Sequence, residues 1–138
     1  MIGNICEDIL ITNKMLVHVL TLVAVLQLSP DDAVLACRDM GMVLTSLETI
    51  DESFAVTNHI LTTPEIPDVA YWTSGVRIYE SWLWSSTGIP LNYADLWDLT
   101  EPNEPAFPGH ACIHLITGKY RDSPCNEVLQ FICEQECI

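Results

Sequence analysis

Apolar residues recur at helical spacing in the first half of the chain and alternate with polar ones in the second. Ser29-Pro30-Asp31-Asp32 reads as a helix start: a serine N-cap, a proline in the first turn, then acids at the positive end of the helix dipole. Ala33, Leu35, Ala36, Cys37 and Met40 supply a mostly apolar helix, and Gly41 stops it. Thr49, with Glu52 three residues on, forms a capping box for a second helix. Ile50, Phe54 and then Asn58 or Leu61 make its expected apolar face, and Pro64 ends it.

Beyond that point the pattern changes to strands and loops. Residues 69–76 and 81–87 read as strands separated by a turn at 77–80, and residues 88–109 as a long proline-containing loop. Residues 110–116 and 129–135 read as closing strands. Two early helices and several late strands predict an α+β domain.

The apolar run Met15–Leu28, preceded by Lys14, has two readings. It fits the core of a signal peptide, and its Val and Leu content equally fits buried strands. It is short for a membrane span, which needs about 20 residues. The expected division is an N-terminal segment, 1–28, and one domain, 29–138. No repeat or linker suggests a second domain.

Composition narrows the function classes. The 138 residues carry five Lys and Arg against nineteen Asp and Glu, a net charge of -14. That field repels phosphate, so nucleic acid and anionic membranes are poor partners, whereas cations are favoured. Six cysteines in so short a chain point to an oxidising compartment. No Gly-x-Ser-x-Gly, phosphate loop or His-Glu-x-x-His occurs, so binding rather than catalysis is expected.

Several segments, in order, resemble the C-type lectin-like domain family. They are "AVLACRDMGMVLTSLET", "YWTSG", "WLWSSTGIPLNYADLW", "EPN", "HACIHL", "YRDSPC" and "FICE", spanning about Ser29 to Glu134. The stretch before "EPN" has a form associated with arthropod members. The resemblance implies a lectin-like fold with two helices, two small antiparallel sheets and a long ligand loop. It also implies disulfides Cys37–Cys133 and Cys112–Cys125. Because termini in this family lie side by side, Cys6–Cys137 is a further expected pair.

In calcium-dependent members a Glu-Pro-Asn loop, a second glutamate and a Trp-Asn-Asp strand hold a calcium ion that accepts sugar hydroxyls, and Glu-Pro-Asn is the mannose-type version. By position, Glu101 and Asn103 match the loop, with a cis Pro102 between them, and Asp122 matches the strand aspartate. His110 stands where the second glutamate is expected, and Tyr120 and Arg121 replace the Trp and Asn. Glu104 could swing in as a substitute ligand.

Calcium takes six to eight oxygens, and this set offers fewer. Imidazole nitrogen suits calcium poorly, and Arg121 could replace the ion outright by pairing with Glu101 or Asp122. Zinc is an alternative for the same stretch, since His110, Cys112 and His114 alternate along a strand and Cys125 could complete a Cys2His2 set. The four tryptophans are expected in the core, with Trp97 half exposed near the loop. The resulting expectation is a secreted recognition module that binds carbohydrate or a glycoprotein, with an incomplete calcium site. Its alternative is a calcium-independent domain that binds a protein ligand.

Overall fold

Tyr71 and Trp72 are adjacent on one strand and buried in different cores on its two faces. The computed structural model describes residues 14–17, 26–93, 95–103 and 111–136. In chain order its elements are β1 (Lys14–Val17), α1 (Pro30–Asp39), β2 (Val43–Leu44), α2 (Ile50–Thr62), β3 (Tyr71–Ile78), β4 (Ser81–Trp84), β5 (Ile89–Pro90), β6 (Ala111–Ile116), β7 (Lys119–Pro124), β8 (Gln130–Phe131) and β9 (Cys133–Glu136). The expected α+β class and lectin-like architecture hold.

Both helix starts form as the sequence dictates. Ser29 Oγ accepts the Asp32 N–H at 3.3 Å, and Thr49 Oγ1 accepts the Glu52 N–H at 3.1 Å. The Glu52 carboxylate reaches back to the Glu48 N–H at 2.7 Å, one residue beyond an ordinary capping box. Gly41, at φ +75°, ends α1: its N–H bonds the Arg38 carbonyl and the Met42 N–H bonds that of Cys37, a Schellman cap.

The apolar face expected for α2 is corrected. Ser53, Val56 and Ile60 face the core, whereas Phe54 and Leu61 are 56% and 58% exposed. Ser53 is held inward because its hydroxyl is bonded to the buried Tyr120 hydroxyl. Leu35 of α1 and its C-cap Met40 likewise face outward, leaving Pro30, Ala33 and Cys37 to the interior.

A three-stranded antiparallel sheet has the order β1-β9-β2. The larger sheet runs β5-β4-β3-β6-β7, with β8 added in parallel beside β3. The strand expected over 129–135 is therefore two, broken at Ile132, because its halves serve different sheets. The β3–β4 turn is confined to Tyr79 and Glu80, so Arg77 and Ile78 lie within β3. Met15–Val17, the start of the apolar run, pairs with β9 as a strand together with Lys14. Residues 18–25 of that run lie outside the described residues.

Leu47, Val56, Trp84, Ile113, Leu115 and Tyr120 pack on one side of the large sheet. Ala33, Cys37, Leu44, Trp72, Phe131 and Cys133 pack on the other. Cys37–Cys133 closes a separation of 96 residues and Cys112–Cys125 one of 13. In the chain-entropy view these stabilise by ~5 and ~3 kcal/mol. Cys6–Cys137 lies outside the described residues. Gly75 is required where β3 crosses β6, since a Cβ there would meet the Ile113 side chain at 2.6 to 2.9 Å.

Candidate ligand and cation site

β7 is the last strand of the large sheet, and the loop after Leu96 lies along its open side. The Tyr120 N–H bonds the Leu96 carbonyl at 2.7 Å, and the Asp98 N–H bonds the Tyr120 carbonyl at 2.9 Å. Beneath this contact Tyr120 is fully buried. Its hydroxyl lies 2.6 Å from Ser53 Oγ and 2.7 Å from the Tyr93 hydroxyl, which donates to the Leu47 carbonyl at 2.6 Å. Each hydroxyl has one proton, so the chain of donation runs from Ser53 through Tyr120 and Tyr93 to Leu47. Burial pushes the Tyr120 hydroxyl far above the usual tyrosine range. This network links α2 and the loop to β7 where the resemblance leads one to expect a tryptophan.

The loop then turns sharply. The Glu101 N–H bonds the Asp98 carbonyl at 3.0 Å, and Thr100, third residue of that turn, is left-handed at φ +69°. A β-branched residue is rarely found there, so the turn is strained. The Glu101–Pro102 peptide is cis.

The structure brings Glu101, Asn103 and Asp122 together. Asp122 is buried, and its Oδ1 accepts the Asn103 N–H at 2.8 Å. Glu101 Oε1 accepts from Asn103 Nδ2 at 3.2 Å, and its Oε2 lies 3.4 Å from the Asp122 N–H. Desolvation, then the neighbouring Asp122 carboxyl, pushes the Glu101 carboxyl up to about 7. Two carboxyl groups in one partly dry corner resist ionising together. Such a pair can share a proton or accept a cation.

Arg121 is not part of that corner, which corrects the pairing expected for it. Its Nε and a terminal nitrogen contact Asp98 Oδ2 at 2.8 and 2.7 Å. The other Asp98 oxygen accepts the Leu99 N–H at 2.8 Å, and these bonds hold the Asp98 carboxyl below its usual range. The alternation of β7 explains the divergence: Asp122 turns inward and Arg121 outward. Sequence reasoning missed Asp98. The sequence carried no local signal for it, since the two residues are 23 apart and meet only through the fold.

The zinc set is also corrected. Cys112 and Cys125 are joined as a disulfide, and His114 Nδ1 lies 3.0 Å from Ser123 Oγ. Burial pushes the His114 imidazole down to about 4. Among the described residues no group of three or more His, Cys, Asp or Glu is placed to hold a metal ion. Glu104 and His110 lie outside the described residues. Trp72 and Trp84 are buried, while Trp82 and Trp97 are half-buried and pack with ring centroids 5.1 Å apart and planes tilted by 60°.

The fold and this loop define a disulfide-stapled domain of the C-type lectin-like class. The lectin C-type domain matches residues 26–135, and the chain belongs to that family. Among solved structures it is similar to the carbohydrate-recognition domain of mouse scavenger receptor C-type lectin, with a TM-score of 0.72, 23% identity and coverage of 92% and 93% of the two chains. TC14, a C-type lectin from the tunicate Polyandrocarpa misakiensis, gives a TM-score of 0.65, 26% identity and coverage of 80% and 91%. A calcium-independent type II antifreeze protein gives 0.64, 22% identity and coverage of 81% and 82%. No curated protein sequence matches the chain.

Proposed function

We propose that this chain is an extracellular recognition domain that binds carbohydrate of the mannose type at the loop Glu101–Asn103, beside a weakly held calcium ion. The observation that supports it is the convergence of Glu101, Asn103 and Asp122 on one corner, with Arg121 drawn aside by Asp98. The donors suit calcium in kind, being carboxylate and amide oxygens, but fall short of six to eight in number. Glu101, Asn103 and Asp122 would hold the ion, with Glu104 as a fourth side chain. Bound there, calcium would accept sugar hydroxyls as ligands. The two disulfides favour an oxidising, extracellular setting.

A second reading rests on the same hydrogen bonds. Glu101 and Asp122 each accept a backbone N–H across the loop, a latch that needs no ion. A calcium-independent domain that binds a protein ligand would keep that latch, and the antifreeze relative carries this fold under a calcium-independent description.

Calcium titration by thermal shift, with retention on mannose resin with and without chelator, separates the two. An affinity near 1 mM would stabilise the domain by about 1.4 kcal/mol at 10 mM calcium. A calcium-independent melting curve and no retention on the resin defeat the lectin reading.

A further inference from the structure

We infer that the outer flank of α2 is a second interaction surface, one that docks an apolar protein segment carrying a basic residue at each end. Ile50, Phe54, Thr57 and Leu61 fall within one narrow arc of the helix at 3.6 residues per turn. They lie beside the face that enters the core, and Phe54 and Leu61 are more than half exposed. Single exposed apolar residues are ordinary, but Phe54 and Leu61 stand two turns apart on one face, in line with half-buried Ile50 and Thr57, and together mark a contact surface.

The N-terminal end of the stripe is concave and acidic, and the other end carries one exposed acid, Asp68. At the N-terminal end an open depression of about 330 Å³ is lined by Ile50 with Glu48, Asp51 and Tyr93. At the other end Leu61 borders a narrow crevice with Asp68, Leu115 and Ile116, where α2 meets the β6–β7 hairpin and the Asp68 carboxylate accepts from the Thr117 N–H and hydroxyl at 3.1 and 3.0 Å. From Asp39 to Val76 the sequence has six Asp and Glu and no Lys or Arg. Charge therefore selects the occupant. A second copy would set acid against acid with -14 on each chain, and nucleic acid or an anionic membrane would be repelled. A cationic partner gains at both ends and buries its apolar centre against Phe54. The stripe from Ile50 to Leu61 spans about 16 Å at 1.5 Å per residue, which fits three turns of a docked helix. The surface uses none of Glu101, Asn103 and Asp122.

The test is an NMR titration of the full chain with a synthetic helical peptide bearing a leucine face and lysines at both ends. Binding should shift amides of α2, Asn92, Tyr93 and residues 115–118. The pair Phe54→Ser and Leu61→Ser should weaken it at least tenfold, while Leu99→Ser at another exposed site should not. A peptide with serines for leucines, or glutamates for lysines, should bind at least tenfold more weakly. No binding, shifts mapping elsewhere, equal binding of the serine peptide, or full binding by the double variant would each overturn the proposal. So would sedimentation showing a dimer that the double variant abolishes, since the occupant would then be a second copy.

Discussion

Arg121 and Asp98 form a pair in which two guanidinium nitrogens contact a single carboxylate oxygen, at 2.8 and 2.7 Å, on the outer side of β7. The pair is solvent-exposed, so it adds little to stability. Its larger effect is positional, because it holds the guanidinium on the outer side of β7, from where its charge still acts on Glu101.

Arg121→Asn should therefore shift the melting temperature little. Combined with His110→Glu, it should raise calcium affinity at least tenfold, read by isothermal titration, since one change removes a positive charge that acts on Glu101 and the other adds a carboxylate. An unchanged affinity would place the defect in the path of the loop.

The Glu101 carboxyl should titrate near pH 7 in the calcium-free protein, followed by the NMR shift of its side-chain carbon. Its folded pKa is raised above the ordinary value of 4.5, so folding takes up a proton between about pH 4.5 and 7. Its contribution to stability is complete below 4.5 and lost as pH rises through 7. Calcium competes with that proton, so affinity should fall on acidification from pH 8 to 6. Asp122→Asn should lower the midpoint without restoring 4.5, because burial is the larger cause.

His114 gives the opposite slope. Its folded pKa is depressed to about 4, so the unfolded chain binds more protons between about 4 and 6.5. Stability from this group is lost as pH falls through that window. His114→Gln should flatten the acid side of a plot of denaturation midpoint against pH.

Gly75→Ala should cost about 1–3 kcal/mol by chemical denaturation, as the new methyl group meets Ile113 below contact distance. In an Ile113→Val background the same change should cost less, since one of the atoms it strikes is gone. Equal costs in both backgrounds would mean that the strands part instead.

Thr100→Asn should stabilise the fold by about 1 kcal/mol, since asparagine tolerates the left-handed conformation that threonine does not. The thermal midpoint reads it directly.

Much of this fold was legible because local signals and tertiary demands agree. Ser29, Gly41, Thr49 and Pro64 mark helix ends by backbone chemistry that packing does not alter. The resemblance supplied the two disulfides and the meeting of Glu101 with Asp122. The failures are tertiary. Nothing local to α2 says that Ser53 turns inward while Phe54 turns out, because that depends on a tyrosine 67 residues away. The break at Ile132 follows from two sheets competing for one segment. Arg121 was misassigned because its charge invited a partner at Glu101 or Asp122, whereas strand alternation aims it at Asp98.

The loop over β7 has one more consequence. β7 would otherwise offer a row of open amides, and the carbonyl of Leu96 and the carboxylate of Glu101 take those of Tyr120 and Asp122. An uncovered strand of this kind is a template for pairing between molecules. Replacing Glu101 to abolish ligand binding would thus also remove a guard against aggregation. Such variants belong in a light-scattering assay before their loss of binding is credited to a lost ligand contact.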